Sequence, residues 1–243
     1  MLKIQYNKYL SNDFLEEFLN YNEIMENYLL QRYFKNRQNF DVEKISSLET
    51  TQLISFSKTF FQESTFYPQS FRTSFFIQIF SILEHELKEI CSIHFEHHKI
   101  DFSMEDLKGN SEIEKAKLYL RKAGKIDFLE MNPEWEYLNI MRKIRNRFVH
   151  SQGEISQNHG DWKTIYSFIN SNKNLLGFRN CAEYLEEYKF KELFDLNSIF
   201  MLDIQAPEFN SRMISQVKKF LEKLIKKLNS LENPTIDHQP HSL

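Results

Sequence analysis

The sequence predicts an all-α protein, and three observations carry that reading. Five glycines and five prolines in 243 residues leave little turn chemistry for a many-stranded sheet. Several long segments repeat apolar residues at intervals of three and four, the helical period. The residues between those segments read as helix caps and stops rather than hairpin turns. Hydrophobic residues at 41% and charged residues at 27% suit an ordinary soluble globular protein. Twenty-three Phe and eleven Tyr imply a core rich in rings.

The elements follow in order. Met1 to Leu10 is a short lead-in, and Ser11-Asn12-Asp13 offers N-cap residues. Phe14, Phe18, Met25, Tyr28 and Leu29 then recur near helical spacing up to about Phe34. Asn36 to Phe40 is a polar loop. Asp41 can cap a second helix carrying Val42, Ile45, Leu48, Leu53 and Phe56 to about Gln62. Ser46-Ser47 and Thr50-Thr51 weaken it, so it reads as one helix or two pieces.

Ser64 to Pro68 breaks the pattern, and Pro68 can start a long helix to about His98. Phe71, Phe75, Ile79, Leu83, Leu87 and Ile90 give that helix a sustained apolar face. Its end holds His94, His97 and His98. His94 and His98 are one turn apart, a spacing able to bind metal, but no distal ligand set accompanies them, and a solvated helix end is the expectation.

Lys108-Gly109-Asn110 is a turn, and Ser111 with Glu114 forms a capping box opening a helix to about Ala123, which Gly124 ends. Asn132 as N-cap and Pro133 at the first helical position open the next helix, held down by Trp135, Leu138, Met141 and Ile144. Ser151-Gln152-Gly153 stops it. Gly160-Asp161 opens a short helix through Ile169. From Asn174 to Ile204 the chain reads either as short helical pieces or as a small β-hairpin around Asp195-Leu196-Asn197-Ser198. Pro207 to Leu231 closes the fold with Met213, Val217, Phe220, Leu224, Leu228 and Leu231 on one side. Lys218, Lys219, Lys223, Lys226 and Lys227 lie on the other, a solvated face or a guide for RNA. Residues 232–243 read as a disordered tail.

Composition narrows the function. A net charge of −3 means that any polyanion must be met by a local patch. Cys91 and Cys181 form neither a disulfide framework nor a metal spacing, which suits a reduced, cytoplasmic setting. No apolar run approaches the length of about 18 residues that a membrane span needs, and no secretory signal opens the chain. There is no internal repeat, Gly-rich phosphate loop or Walker signature.

One stretch stands out: Arg145-Asn146-Arg147-Phe148-Val149-His150, which closes the helix begun at Pro133. Asn146 and His150 fall on one face, one turn apart, with Arg145 beside them. Met141, Ile144 and Phe148 fall on another, apolar face. Arginine offers a phosphate a two-pronged donor, and imidazole moves protons near neutrality. Together they suit phosphodiester cleavage through the RNA 2′-OH. A surface cation and a C-terminal cap interacting with the helix dipole is the plainer reading of the same residues.

Arg145 and His150 with four residues between, and a polar residue directly after the arginine, resemble the R-x(4–6)-H signature of HEPN domains. These are small all-helical domains, many of them metal-independent endoribonucleases of toxins and anti-phage systems. Phe71 to Cys91 resembles the helix that packs against the motif helix in that family. The resemblance covers Pro68 to His150 and, more loosely, Pro207 to Leu231; Gly153 to Ala206 and the first sixty-odd residues have no counterpart. It implies a HEPN-like helical bundle, one domain over residues 1–231 with extra N-terminal helices. It implies a homodimer whose two motif helices form a composite cleft. His150 would act as general base or acid, Arg145 would hold the scissile phosphate, and Asn146 would orient one of them. Glu84 would tune the site by pairing with Arg145, or form an exposed pair with Lys88 instead. Arg142 and Arg147 would contact flanking phosphates. No cofactor or metal is implied, no membrane partner either, and an antitoxin or sensor protein would restrain the enzyme. Some relatives carry a tyrosine two residues after the histidine; here that residue is Gln152, so regulation through such a tyrosine is not implied. The alternatives are a non-catalytic HEPN-like dimerisation or RNA-binding module in a defence assembly, and an unrelated helical scaffold with a chance motif.

Overall fold

The structure, a computed structural model, describes residues 12–38, 48–109, 111–180 and 199–232. These are mostly helical. In order they form α1 (Asn12–Gln38), α2 (Thr50–Phe61), a π-helical turn (Gln62–Phe66), α3 (Tyr67–His98), α4 (Glu112–Lys122), a 3-10 turn (Leu129–Met131), α5 (Asn132–Ser151), β1 (Glu154–Ser156), α6 (Trp162–Ser171), β2 (Leu176–Asn180), β3 (Ile199–Ile204) and α7 (Glu208–Glu232). Among the described residues no helix is long and apolar enough to cross a membrane. The described chain falls into two compact units. One comprises residues 81–109, 111–136 and 216–232; the other comprises 14–38, 48–80, 137–180 and 199–215.

In the first unit, Leu83, Leu87, Ile90 and Cys91 of α3 are buried, as are Ile113, Ala116, Tyr119 and Leu120 of α4 and Val217, Phe220, Leu224 and Leu228 of α7. Each Val, Leu, Ile or Phe among them contributes about 1.5–3 kcal/mol on leaving water. The Ser111 hydroxyl caps α4 by accepting from the Glu114 N–H at 3.3 Å. His94 is not on a solvated end. It is buried, with Nδ1 3.1 Å from the Tyr119 hydroxyl, because α4 supplies that polar partner. Among the described residues no three His, Cys, Asp or Glu side chains are arranged to hold a metal ion. The lysines of α7 also depart from a plain solvated face. Lys219 and Lys223 both reach the buried Glu134 carboxylate, at 2.9 and 2.8 Å, and Lys227 reaches Glu130 at 3.0 Å. Lys88 pairs with Glu105 at 3.5 Å.

In the second unit α1 turns inward a face that overlaps the one the spacing suggests, keeping Phe18 and Leu29 but shifted toward Leu15, Asn22 and Glu26. Leu15, Asn22, Glu26 and Leu29 are buried, whereas Phe14 and Tyr28 are exposed. Polar pairing explains the change. Asn22 donates to the Ser211 hydroxyl at 3.1 Å, and Glu26 receives a two-pronged bond from Arg72, 2.8 Å to each oxygen. Arg72 also donates to the Gln205 carbonyl at 2.7 Å. Phe75 stacks on Phe18 with centroids 4.1 Å apart, and Phe76 packs edge-on against Phe148 and Phe209.

Helix α2 runs from Thr50 behind Glu49, and no residue of it is buried; the expected cap at Asp41 and the start of that segment fall in residues 39–47, outside the described ones. The expected break from Ser64 to Pro68 is a continuous helix instead. Pro68 has no N–H to give an α-type bond, and the chain passes it with a wider turn in which the Tyr67 N–H bonds Gln62 oxygen, five residues back. Glu63 in this turn is buried and pairs with Arg32.

Among the described residues the β structure is a three-stranded antiparallel sheet of order β1-β3-β2 rather than one hairpin. Ile155 faces Phe200, and Phe178 faces Leu202. β3 lies within the segment read as strand, but its partners are Leu176–Asn180 and Glu154–Ser156. The expected turn at Asp195–Ser198 lies outside the described residues, as does the tail beyond Glu232. Gln69 continues the ladder from α3: its amide oxygen accepts from the Ile204 N–H at 3.0 Å.

Candidate functional site

Helix α5 carries the motif. It starts one step earlier than expected. Asn132 already has helical geometry, with φ −53°, because the 3-10 turn runs directly into the helix; Asp127 caps that turn by accepting from the Leu129 N–H at 3.0 Å. Leu138, Met141, Ile144 and Phe148 are buried, as their spacing requires. This apolar stripe fixes the rotation of the helix and so decides where the polar residues stand.

Arg142, Lys143, Arg145, Asn146 and Arg147 are half-buried along the remaining faces, and Val149 and His150 are exposed at the end. The Arg142 guanidinium donates to the Asn139 side-chain oxygen through Nη2 at 2.9 Å and Nε at 3.3 Å. Lys143 pairs with Asp161 at 2.9 Å. The Arg145 guanidinium lies 5.5 Å from the centre of the Phe80 ring, a cation–π distance. The buried Nε of Arg147 has no hydrogen-bond acceptor. Asn146 and His150 share a face, one turn apart. Glu84 lies half-buried on α3, in the other compact unit.

The exit from the helix is tightly built. Gln152 and Gly153 take positive φ, 52° and 92°. The Gly153 N–H bonds the Arg147 carbonyl at 3.0 Å, and its own carbonyl accepts from the Leu202 N–H at 3.0 Å. A β-carbon at Gly153 would sit 3.2 Å from the Phe148 ring, so glycine is needed for space as well as conformation. This turn carries the chain from the motif straight into β1.

From Tyr137 to Ser151 the helix holds four Arg or Lys residues and a histidine, and no carboxylate. The chain as a whole has a net charge of −3. A concentrated cation cluster on the end of one helix, with an exposed imidazole, can attract a phosphate and exchange protons with it. Sequence reasoning missed Phe80 under Arg145, Asn139 beneath Arg142 and Asp161 on Lys143. The Asn139–Arg142 spacing of three was readable; the other two partners are distant in sequence and left no signal. A groove of about 460 Å³ lies elsewhere, lined by Asn36, Leu48, Gln52, Ser55, Phe56, Thr59 and Phe60. It holds no titratable side chain and none of the motif residues. Compared with known protein families, curated proteins and solved structures, the chain matches none.

Proposed function

We propose that the second half of α5 binds and cleaves RNA, making the protein a metal-independent, HEPN-type endoribonuclease of a toxin or anti-phage system. The observation that carries this reading is the cationic, carboxylate-free helix end with His150 exposed and Asn146 one turn behind it. In a homodimer two such ends form one cleft. One His150 takes the proton of the 2′-OH, whose oxygen attacks the adjacent phosphorus. The bond to the 5′-oxygen breaks, and the second His150 gives that oxygen a proton. The products are a 2′,3′-cyclic phosphate and a 5′-OH. Arg145, backed by Phe80, holds the charge that develops on the phosphate. Asn146 orients it, and Arg142 and Arg147 meet flanking phosphates. An antitoxin or sensor partner restrains the activity.

The test is cleavage of total RNA in EDTA by the wild type and by His150→Ala, with folding of both checked by circular dichroism. General acid–base catalysis is worth about 100–10,000-fold, so the variant loses at least that lower factor. Equal cleavage by the variant, or strict dependence on a divalent ion, overturns the proposal. RNA binding without cleavage by either protein supports the non-catalytic module instead.

A further inference from the structure

Helix α1 carries two stripes. The first, Leu15 to Leu29, is buried. The second repeats at the heptad intervals of a helix that lies along another helix: Phe14, Glu17, Tyr21, Ile24, Tyr28 and, one heptad beyond, Lys35. All six are exposed, Ile24 to 65% and Tyr21 and Tyr28 to 48% each. A run of large apolar side chains facing water on one helix face marks a surface that another molecule covers. The charges on the exposed faces of α1 are segregated. Glu16, Glu17 and Glu23 lie in the first half, and Lys35 and Arg37 in the second, where Arg32 is already paired with Glu63.

We propose that this stripe pairs with the same stripe of a second copy of the chain, antiparallel. A two-fold axis midway between Ile24 and Tyr28 falls next to the centre of the helix. It sets Ile24 opposite the second copy's Tyr28, Tyr21 opposite its Gln31 and Glu17 opposite its Lys35, each contact occurring twice. Parallel pairing sets Glu17 on Glu17 and Lys35 on Lys35, which the like charges oppose. The acidic half of each helix therefore selects the basic half of the other, and the stripe is complementary to itself. This inference is independent of the ribonuclease reading, because a chain without nuclease activity pairs through α1 all the same.

The experiment is the solution mass of the full chain over micromolar concentrations, by sedimentation, with RNA cleavage assayed in parallel. The wild type sediments as a dimer, and folded Ile24→Glu as a monomer. Glu17→Lys and Lys35→Glu each weaken the dimer about tenfold, since each turns two attractions into repulsions. A mixture of the two single variants regains wild-type affinity as a heterodimer, because every opposed pair is then of opposite sign. A monomeric wild type at tens of micromolar overturns the proposal. So does a dimer indifferent to Ile24→Glu and to the charge exchange, which pairs through another face. An Ile24→Glu monomer that still cleaves RNA upholds the pairing and removes the composite site; a charge-swapped heterodimer that cleaves nothing upholds the pairing and counts only against the nuclease.

Discussion

At the start of α5 the charge is Glu134, buried and held by two lysines. At its end the charges are Arg142, Lys143, Arg145 and Arg147, beside His150, with no carboxylate among them on the helix. Burial alone would raise the Glu134 carboxyl, but the bonds from Lys223 and Lys219 outweigh it and bring it down to about 2. Charge at the first end closes on itself inside the fold. At the last end Lys143 pairs with Asp161, Arg142 donates to the Asn139 side chain, and His150 is exposed. The ion pairs around Glu134 hold the fold together; the cations beside the exposed imidazole are the ones that the proposed reading assigns to an anion from outside. Residue type does not separate the two, since both ends are plain Glu, Lys and Arg.

That contrast can be broken at either end. The largest effect comes from removing both donors to Glu134. Lys219→Ala with Lys223→Ala leaves a buried, uncompensated carboxylate and costs about 3–5 kcal/mol in urea unfolding. Lys226→Ala on the same helix stays within about 0.5 kcal/mol, because Lys226 is exposed. Acid acts on the same contact more gently. Glu134 has its carboxyl lowered in the folded state, so its contribution is complete above about pH 4.5 and fades as the pH falls toward about 2. Stability measured from pH 6 to 2 drops over that window, and Glu134→Gln flattens the drop. At the other end, Gly153→Ala forces a β-carbon onto φ 92° and against the Phe148 ring, at a cost of about 1–3 kcal/mol. Gly160→Ala, with nothing within 4 Å, is near neutral. The smallest stability effect belongs to His150→Ala. An exposed helix-end side chain changes the unfolding free energy by less than about 0.5 kcal/mol while abolishing cleavage. A large loss of stability there would make His150 architecture too, and erase the difference between the ends.

Much of the helical layout was legible because α3, α5 and α7 bury what their periodicity says they should. Phe75, Ile79, Leu83, Met141, Ile144, Val217 and Phe220 all lie in the core. Helix α1 is legible in part: Leu29 is buried as its spacing predicts, but the inward face also contains Asn22 and Glu26, whose burial depends on Ser211 and Arg72 far along the chain. A pattern of hydrophobicity has no way to register half of a polar pair. His94 failed for the same reason, its partner Tyr119 sitting on another helix. The sheet was half seen: β3 is a six-residue strand, but β1 is three residues long and is defined only by pairing with a segment more than forty residues later. Of the candidate site, the residue types and their shared faces came from local spacing. The ring under Arg145 and the carboxylate on Lys143 came only from the fold.

The wide turn at Gln62–Phe66 has a consequence for everything upstream of it. An α-helix advances about 100° per residue, so one residue absorbed into a π turn rotates the preceding segment by about that angle. Pro68, unable to donate, makes the wide turn the way past it. The direction in which Leu53 and Ile54 point is thereby set by a proline outside their own helix. The proline is a phase key: exchange it for a residue with an N–H, and the apolar face of α2 is free to swing a quarter-turn or more around its axis without any change in α2 itself.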